Sequence, residues 1–330
     1  MSANAPAAQL GEVLERGGPR LRGLLDATEL RLAEVAAGYG EVLPGHVAGT
    51  LAAGGKRLRP ILTFITAGEA EGGALVDAGA AVELLHMATL VHDDVLDRAE
   101  LRRGRRTVFA GGGRAAATAT GDLLFARAFA VLAATGDAAA VRALSSASSA
   151  LARGELMQRE DAWDAGVTRE RYLERCRLKT ARLFEAACRL GAILGDPGPD
   201  AADRLARFGE LIGLAFQLFD DVLDVSGPSE RTGKARGTDL RDGTVTLPLI
   251  LARERDPELA AVDLRAAAAG ASGAEAVCDR IAATGALEDT RAEAAEHVAE
   301  AKALLVELEL GRDQRELLAA VADGVVERYA

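Results

Sequence analysis

Two short segments of this 330-residue chain carry the same five residues. Asp93-Asp94-Val95-Leu96-Asp97 returns as Asp220-Asp221-Val222-Leu223-Asp224. Each lies in an apolar run, Leu90-Val91-His92 before the first and Phe216-Gln217-Leu218-Phe219 before the second. On a helix, the first and last acids of such a segment stand one turn apart on one face. Like charges at that spacing repel. Carboxylates on an apolar helix also lose hydration, at a cost of several kcal/mol each unless a counter-charge is supplied. Two such helices facing each other make chemical sense if hard divalent cations sit between them. Oxygen donors without neighbouring cysteines point to Mg2+ rather than zinc. A pair of solvated acidic faces is the plain alternative, and identical copies in apolar helices speak against it. An EF-hand is a poor fit, because its spacing and central glycine are missing.

Mg2+ held by few carboxylates keeps room for substrate phosphates, so separate anion-binding groups are expected. Three stretches qualify. Gly54-Gly55-Lys56-Arg57-Leu58-Arg59-Pro60 precedes the apolar run Ile61-Leu62-Thr63-Phe64. Pro60 suits a first helical turn, which would place Lys56 and Arg59 at a helix N-terminus that already favours anions. Arg102-Arg103-Gly104-Arg105-Arg106 follows the first acidic segment by a few residues, and arginine forks grip phosphate oxygens in pairs. The Gly-rich stretch from Ser226 to Gly243 holds Lys234, Asp239 and Asp242 and reads as a lid over a charged site. It is not a nucleotide P-loop: five residues separate Gly227 from Gly233 where four are needed, and Ala235 replaces the metal-binding Ser or Thr. His86 lies two turns before Asp93, on roughly the same face, where a phosphate contact and a satisfied core histidine are both open. His92 adjoins Asp93, but no nucleophile elbow accompanies it.

The elements that position these groups are helical. Hydrophobic residues make up 49% and aromatics only 4%, about a fifth of the chain is alanine, and Ala, Leu, Arg and Glu all favour helix. Apolar residues recur at helical spacing over 59–68, 72–98, 116–134, 138–160, 168–194 and 200–225. An N-terminal helix pair breaks near Gly17-Gly18-Pro19, and shorter amphipathic helices follow from about 246. No alternating β-branched run is long enough for a sheet. The expectation is an all-α fold in one domain spanning 1–330, with the chemistry at about 50–250 and helices without chemistry at about 254–330. A net charge of −11 argues against nucleic-acid binding. Cys176, Cys188 and Cys278 show neither metal nor disulfide spacing, which fits a reducing, cytoplasmic setting. No uncharged apolar run reaches the roughly 18 residues of a membrane span, and no secretory signal is expected. Of 39 basic residues only four are lysine: Lys56, Lys179, Lys234 and Lys302. Where arginine is the rule, a retained compact ammonium suggests a task.

The chain resembles the trans-prenyltransferases, the polyprenyl synthetases that make all-trans isoprenyl diphosphates. The matching stretches are GGKRLRP at 54–60, ELLHMATLVHDDVLDRAELRRG at 83–104, GDLLFARA at 121–128, LKTARLF at 178–184, FQLFDDVLD at 216–224 and GKARGTDLRDGTVTLPLI at 233–250. The resemblance implies about a dozen helices around a deep central cavity, usually in a homodimer, with the acidic segments facing each other at its mouth. It assigns Asp93, Asp97 and Asp220 as ligands of Mg2+, three ions per site. Asp224 would join them directly or through water, with Asp94 and Asp221 assisting. It assigns Lys56, Arg59, His86 and Arg103 to the diphosphate of isopentenyl diphosphate. Arg102, Lys179 and Lys234 would hold an allylic diphosphate (dimethylallyl, geranyl, farnesyl or geranylgeranyl), and Thr180 and Gln217 would line the developing cation. Arg106 departs from the family pattern, which has Pro before Thr107, without removing a proposed ligand. A weak membrane association for product release is also implied.

The residues upstream of Asp93 should line the tunnel into which the product grows. Thr89 and Ala88 are small and Leu85 is of medium size, so a product of twenty carbons or more is expected, with Phe125 and Phe129 as candidate floor residues. The nearest alternatives are a short-chain farnesyl or geranylgeranyl synthase and a class I terpene cyclase, whose second metal motif usually carries Asn, Ser and Glu. A non-catalytic partner subunit would tend to lose the acids or the arginine pair, and here all remain.

Overall fold

Alanine- and leucine-rich segments with apolar residues on one face become helices that bury that face, and helices account for nearly all regular structure in the computed structural model. It describes residues 5–37, 50, 57–102, 104–227 and 236–327. The N-terminal pair is α1 (Ala5–Arg16) and α2 (Gly18–Ala37), followed by α3 (Leu58–Thr66) and α4 (Gly73–Leu96). A two-residue antiparallel ladder, β1 (Leu101–Arg102) with β2 (Arg105–Arg106), turns the chain back into α5 (Val108–Ala133). Next come α6 (Ala138–Glu160), α7 (Arg169–Cys176), a π-helical turn (Arg177–Ala181), α8 (Arg182–Gly195) and the long α9 (Pro199–Ser226). The remainder is α10 (Thr238–Asp242), α11 (Leu247–Arg255), α12 (Pro257–Ala261), α13 (Leu264–Ala267), α14 (Ala271–Ala282), α15 (Ala286–Val306) and α16 (Arg312–Glu327).

The central helix is α4. Ala78, Ala80, Ala81, Val82, Leu84, Leu85 and Ala88 are all completely buried, because α2, α3, α5 and α8 pack around it. A helix that is apolar all round belongs in a core. By length and composition both α4 and α5 are apolar enough to cross a membrane; 67% of the α4 window is buried within the protein, but only 39% of the α5 window. The hairpin at 97–107 makes α4 and α5 antiparallel, and one glycine sets their register. A Cβ at Gly121 would lie 2.4 Å from His92 Nε2, so a larger residue there would displace the His92 ring. By this antiparallel register, one turn further along α5 brings Phe125 level with Ala88, and the next brings Phe129 level with Leu84.

Two expected boundaries moved. The glycine run 111–113 reads as punctuation, and Gly113 does break the helical path, but a first helical stretch already begins at Val108. The Thr107 side chain caps it, accepting from the Ala110 amide at 3.0 Å, and the helix breaks only at Gly113 (φ 76°, ψ −180°). The expected helix 168–194 is one path, but the π turn interrupts it. The absence of a sheet holds among the described residues except for the arginine hairpin.

Candidate active site

Both acidic segments lie in the last turns of their helices. Asp97 is the C-cap of α4, its amide donating to the Asp93 carbonyl at 2.8 Å, and Asp224 lies two residues from the end of α9. The negative end of a helix dipole disfavours ionised acids by about 0.3–1 kcal/mol each. Six carboxylates there call for cations, and each position of the motif meets that demand differently.

The first acids, Asp93 and Asp220, are half-buried, and their carboxylates accept no hydrogen bond from any described side chain. Burial pushes the Asp93 carboxyl up to about 6, helped by Glu155 and Asp97 and opposed by Lys179 and Arg102. The second acids rotate about 100° away from them and point into the protein. Asp94 is 4% exposed and Asp221 2%. Asp94 Oδ1 receives Arg102 Nε and Nη2, both at 2.8 Å. Asp221 Oδ2 accepts from the Tyr172 hydroxyl at 2.6 Å and Oδ1 from Gln217 Nε2 at 2.7 Å. Burial raises the Asp94 carboxyl, against the pull of Arg102, and pushes the Asp221 carboxyl up to about 7. Burial, with Asp221 alongside, also raises Tyr172 well above its ordinary value. The third acids sit at the rim. Asp97 Oδ1 pairs with Arg159 Nη2 at 2.8 Å. The Asp224 carboxylate accepts from the backbone amides of Thr238 at 3.1 Å and Asp239 at 3.2 Å, and so holds the first turn of α10.

The π turn joins the two clusters. Its wider register turns two consecutive side chains to different tasks. The Lys179 charge acts on Asp93 of the first cluster, while the Thr180 hydroxyl donates to Gln217 Oε1 at 2.7 Å, one turn before Asp221 of the second. Single π turns of this kind recur at functional sites. The turn is pressed against α6, since a Cβ at Gly154 would stand 2.5 Å from the Lys179 amide nitrogen. Next to that glycine, Glu155 pairs with Lys179 through Oε2 and with Arg159 Nε through Oε1, the latter at 2.8 Å. Burial alone would raise the Glu155 carboxyl, but Lys179 and Arg159 hold it below its usual range.

The basic residues divide in the same way. Lys56, Arg103 and Lys234 lie outside the described residues. Arg59, in the first turn of α3, stacks its guanidinium 4.4 Å from the centre of the Phe184 ring. Phe184 in turn lies 5.5 Å from Phe216, the residue before Gln217, so the first basic motif leans on the second acidic helix. His86 is half-buried on α4. Arg102, expected on an allylic diphosphate, already has Asp94 as a partner. Leu85 and Ala88 are fully buried. The Thr89 hydroxyl turns back to the His86 carbonyl at 2.7 Å, and the rings of Phe125 and Phe129 stack at 5.4 Å and 45°.

Sequence reasoning missed Glu155, Arg159 and Tyr172, and also Arg57 with Glu83. Arg57 adopts a left-handed conformation (φ 47°) and is held by the buried Glu83 at 2.6 Å and by Glu29. The available signal was an acid in an otherwise apolar stretch, Glu83 before Leu84-Leu85. Glu155 and Arg159 four residues apart look like an ordinary surface pair.

The donor set suits a hard cation. The unbonded carboxylates are oxygen donors, half-desolvated and repelled by neighbouring acids. Among the described residues no three Asp, Glu, His or Cys side chains converge closely enough to hold an ion alone.

The Polyprenyl synthetase family model matches residues 41–282. The chain is 38% identical over 257 residues to an octaprenyl diphosphate synthase of Escherichia coli, covering 76% of this chain and 80% of that protein. It is 40% identical over 215 residues to a geranylgeranyl diphosphate synthase of Methanosarcina mazei, covering 63% and 66%. A polyprenyl synthase of Caulobacter crescentus, whose crystal structure was determined with calcium and isoprenyl diphosphate, superposes with a TM-score of 0.88 at 35% identity over 97% of this chain and 98% of that one. With the paired acidic helices and the turn between them already placed, these likenesses settle the lineage: the chain belongs to the polyprenyl synthetase family and is a prenyltransferase of the isoprenoid synthase fold.

Proposed function

We propose that the protein condenses isopentenyl diphosphate head to tail with an allylic diphosphate, in the presence of Mg2+, to give an all-trans polyprenyl diphosphate of twenty carbons or more. The observation that carries this reading is the Lys179–Thr180 turn, whose lysine charge acts on Asp93 and whose threonine hydroxyl is bonded to Gln217, on the helix turn that precedes Asp220 and Asp221. Asp93, Asp97 and Asp220 would hold the metal, and Asp224 would join them directly or through water. When bound, Mg2+ neutralises charge on the leaving diphosphate.

The chain's own residues do the rest. Lys179, with Lys234, places positive charge where the allylic diphosphate accumulates negative charge as its C–O bond breaks. Lys56, Arg59, His86 and Arg103 orient the second diphosphate so that its double bond meets the allylic carbon. The Thr180 oxygen, its proton committed to Gln217, turns lone pairs toward the cation. A C–C bond forms, and the proton lost from the adjacent carbon goes to the released pyrophosphate. Apolar walls keep water from the cation. The small residues Ala88 and Thr89 upstream of Asp93 support a long product, and the long-chain relatives support the same product class. We read the protein as one catalytic domain acting in the cytoplasm as a homodimer, its apolar product leaving toward a membrane. The α5 face left uncovered by its own core supports pairing with a second copy.

Purified protein incubated with isopentenyl diphosphate, each allylic primer and Mg2+, followed by sizing of the lipid products, tests the reading. Chains of twenty carbons or more are expected. Farnesyl diphosphate as sole product would rule out the long tunnel, and no condensation with any primer would rule out the activity.

A further inference from the structure

The first acidic cluster has a cation close at hand that does not close on it. The Lys179 charge acts on the Asp93 carboxyl, yet its ammonium donates to Glu155, which Arg159 ties on to Asp97, one turn beyond Asp93. Glu155 is fixed from both sides. Its other oxygen receives Arg159, which is itself tied to Asp97, and its backbone neighbour Gly154 allows α6 to press on the turn that carries Lys179. The result is a chain of alternating charges, Asp97–Arg159–Glu155–Lys179, across three elements. We propose that Glu155 is a positioning residue that keeps Lys179 off Asp93, so that the Asp93 carboxylate stays available to the divalent ion. This rests on the metal-dependent reading above and deepens it.

Without a counter-anion on α6, a lysine beside a half-buried carboxylate pairs with it, because a desolvated ion left unpaired is costly. Lys179 would then compete with the metal for Asp93. Glu155→Gln keeps the shape and removes the charge. Calorimetric titration of Mg2+ into protein held with inorganic pyrophosphate reads the effect without turnover. We expect the Mg2+ concentration for half-saturation to rise about tenfold in Glu155→Gln. In the Lys179→Ala background the same substitution should change it by less than about threefold, because the competitor is gone. In steady state, excess Mg2+ should restore kcat in Glu155→Gln while KM for isopentenyl diphosphate stays unchanged. A thermal melt that coincides with the parent's identifies a folded variant, and a lowered melt without a changed Mg2+ requirement assigns Glu155 a structural role and overturns the proposal. So does an unchanged or lower Mg2+ requirement in Glu155→Gln, or a full tenfold rise persisting without Lys179. If the parent itself shows no Mg2+-dependent pyrophosphate binding, the metal-dependent reading falls first and this inference with it.

Discussion

The two Asp-Asp-Val-Leu-Asp segments share every residue and the same place at a helix end, but their surroundings differ in kind. Around the first, the partners are ions: Arg102 on Asp94, Arg159 on Asp97, and the Lys179 charge acting on Asp93. Around the second the hydrogen bonds seen among the described residues come from neutral dipoles, the Tyr172 hydroxyl and Gln217 amide on Asp221 and the Thr238 and Asp239 amides on Asp224, with the Arg175 charge also acting on Asp221. In both, the first acid is left open and the second is turned inward. One motif therefore specifies which carboxylate faces the substrate, and the elements packed against it decide whether its charge is balanced by counter-ions or by hydrogen bonds. Long charged side chains adjust as ligands arrive. Buried hydrogen bonds hold geometry.

The largest effect separates the open acids from the rest. Asp93→Asn and Asp220→Asn should each lower kcat by about a thousandfold or more, the scale of a lost transition-state electrostatic contact, with the circular dichroism spectrum retained. If the two segments were merely structural twins, Asp94→Asn would do the same to kcat, and we expect it to do less. Next come the partners of the inward acids. Arg102→Ala leaves the buried Asp94 carboxylate without its cation and should cost about 3 kcal/mol at pH 8 by denaturant titration. Tyr172→Phe leaves Asp221 the Gln217 bond and should cost about 1–2 kcal/mol. Equal losses at the two positions would erase the distinction between ionic and dipolar support.

A pH series sharpens it further. The Asp93 carboxyl titrates near 6 in the folded protein against 3.8 ordinarily. The folded state thus binds this proton more tightly than the unfolded chain. Its contribution to stability is complete below about pH 4 and is lost as the pH rises through 6. Asp93→Asn should therefore stabilise the metal-free protein by about 1–3 kcal/mol at pH 8 and by little at pH 4. Stabilisation that is the same at both values would contradict the sign. The smallest effect belongs to the helix cap. Asp224→Ala should cost about 1 kcal/mol through the α10 amides it releases, a loss measurable by the same titration.

Much of this was legible in the residues. Helix identity followed from apolar periodicity, because each helix buries one face, and α4 and α9 run close to their expected limits. The acidic and basic motifs were visible because charges in apolar runs demand an explanation. What stayed hidden depends on packing between distant segments. Nothing near Asp94 says that Arg102 folds back on it, and nothing near Lys179 says that Glu155, twenty-four residues earlier, will claim its ammonium. The π turn was invisible for a similar reason: it keeps helical periodicity within its neighbours and shows itself only where Lys179 and Thr180 part. The 100° step per residue turns Asp94 and Asp221 inward, so the second acid of each segment serves the protein's interior. The Thr107 cap adds a short helical stretch ahead of the break that Gly113 makes.

The most direct test of the central claim is single-turnover condensation, with radiolabelled isopentenyl diphosphate and farnesyl diphosphate mixed with the parent enzyme, Asp93→Asn and Asp220→Asn, each with and without Mg2+. Product should form only in the parent and only with Mg2+. Formation at near-parent rate in either variant, or equally without the metal, would contradict the assignment of those two open carboxylates to the chemistry.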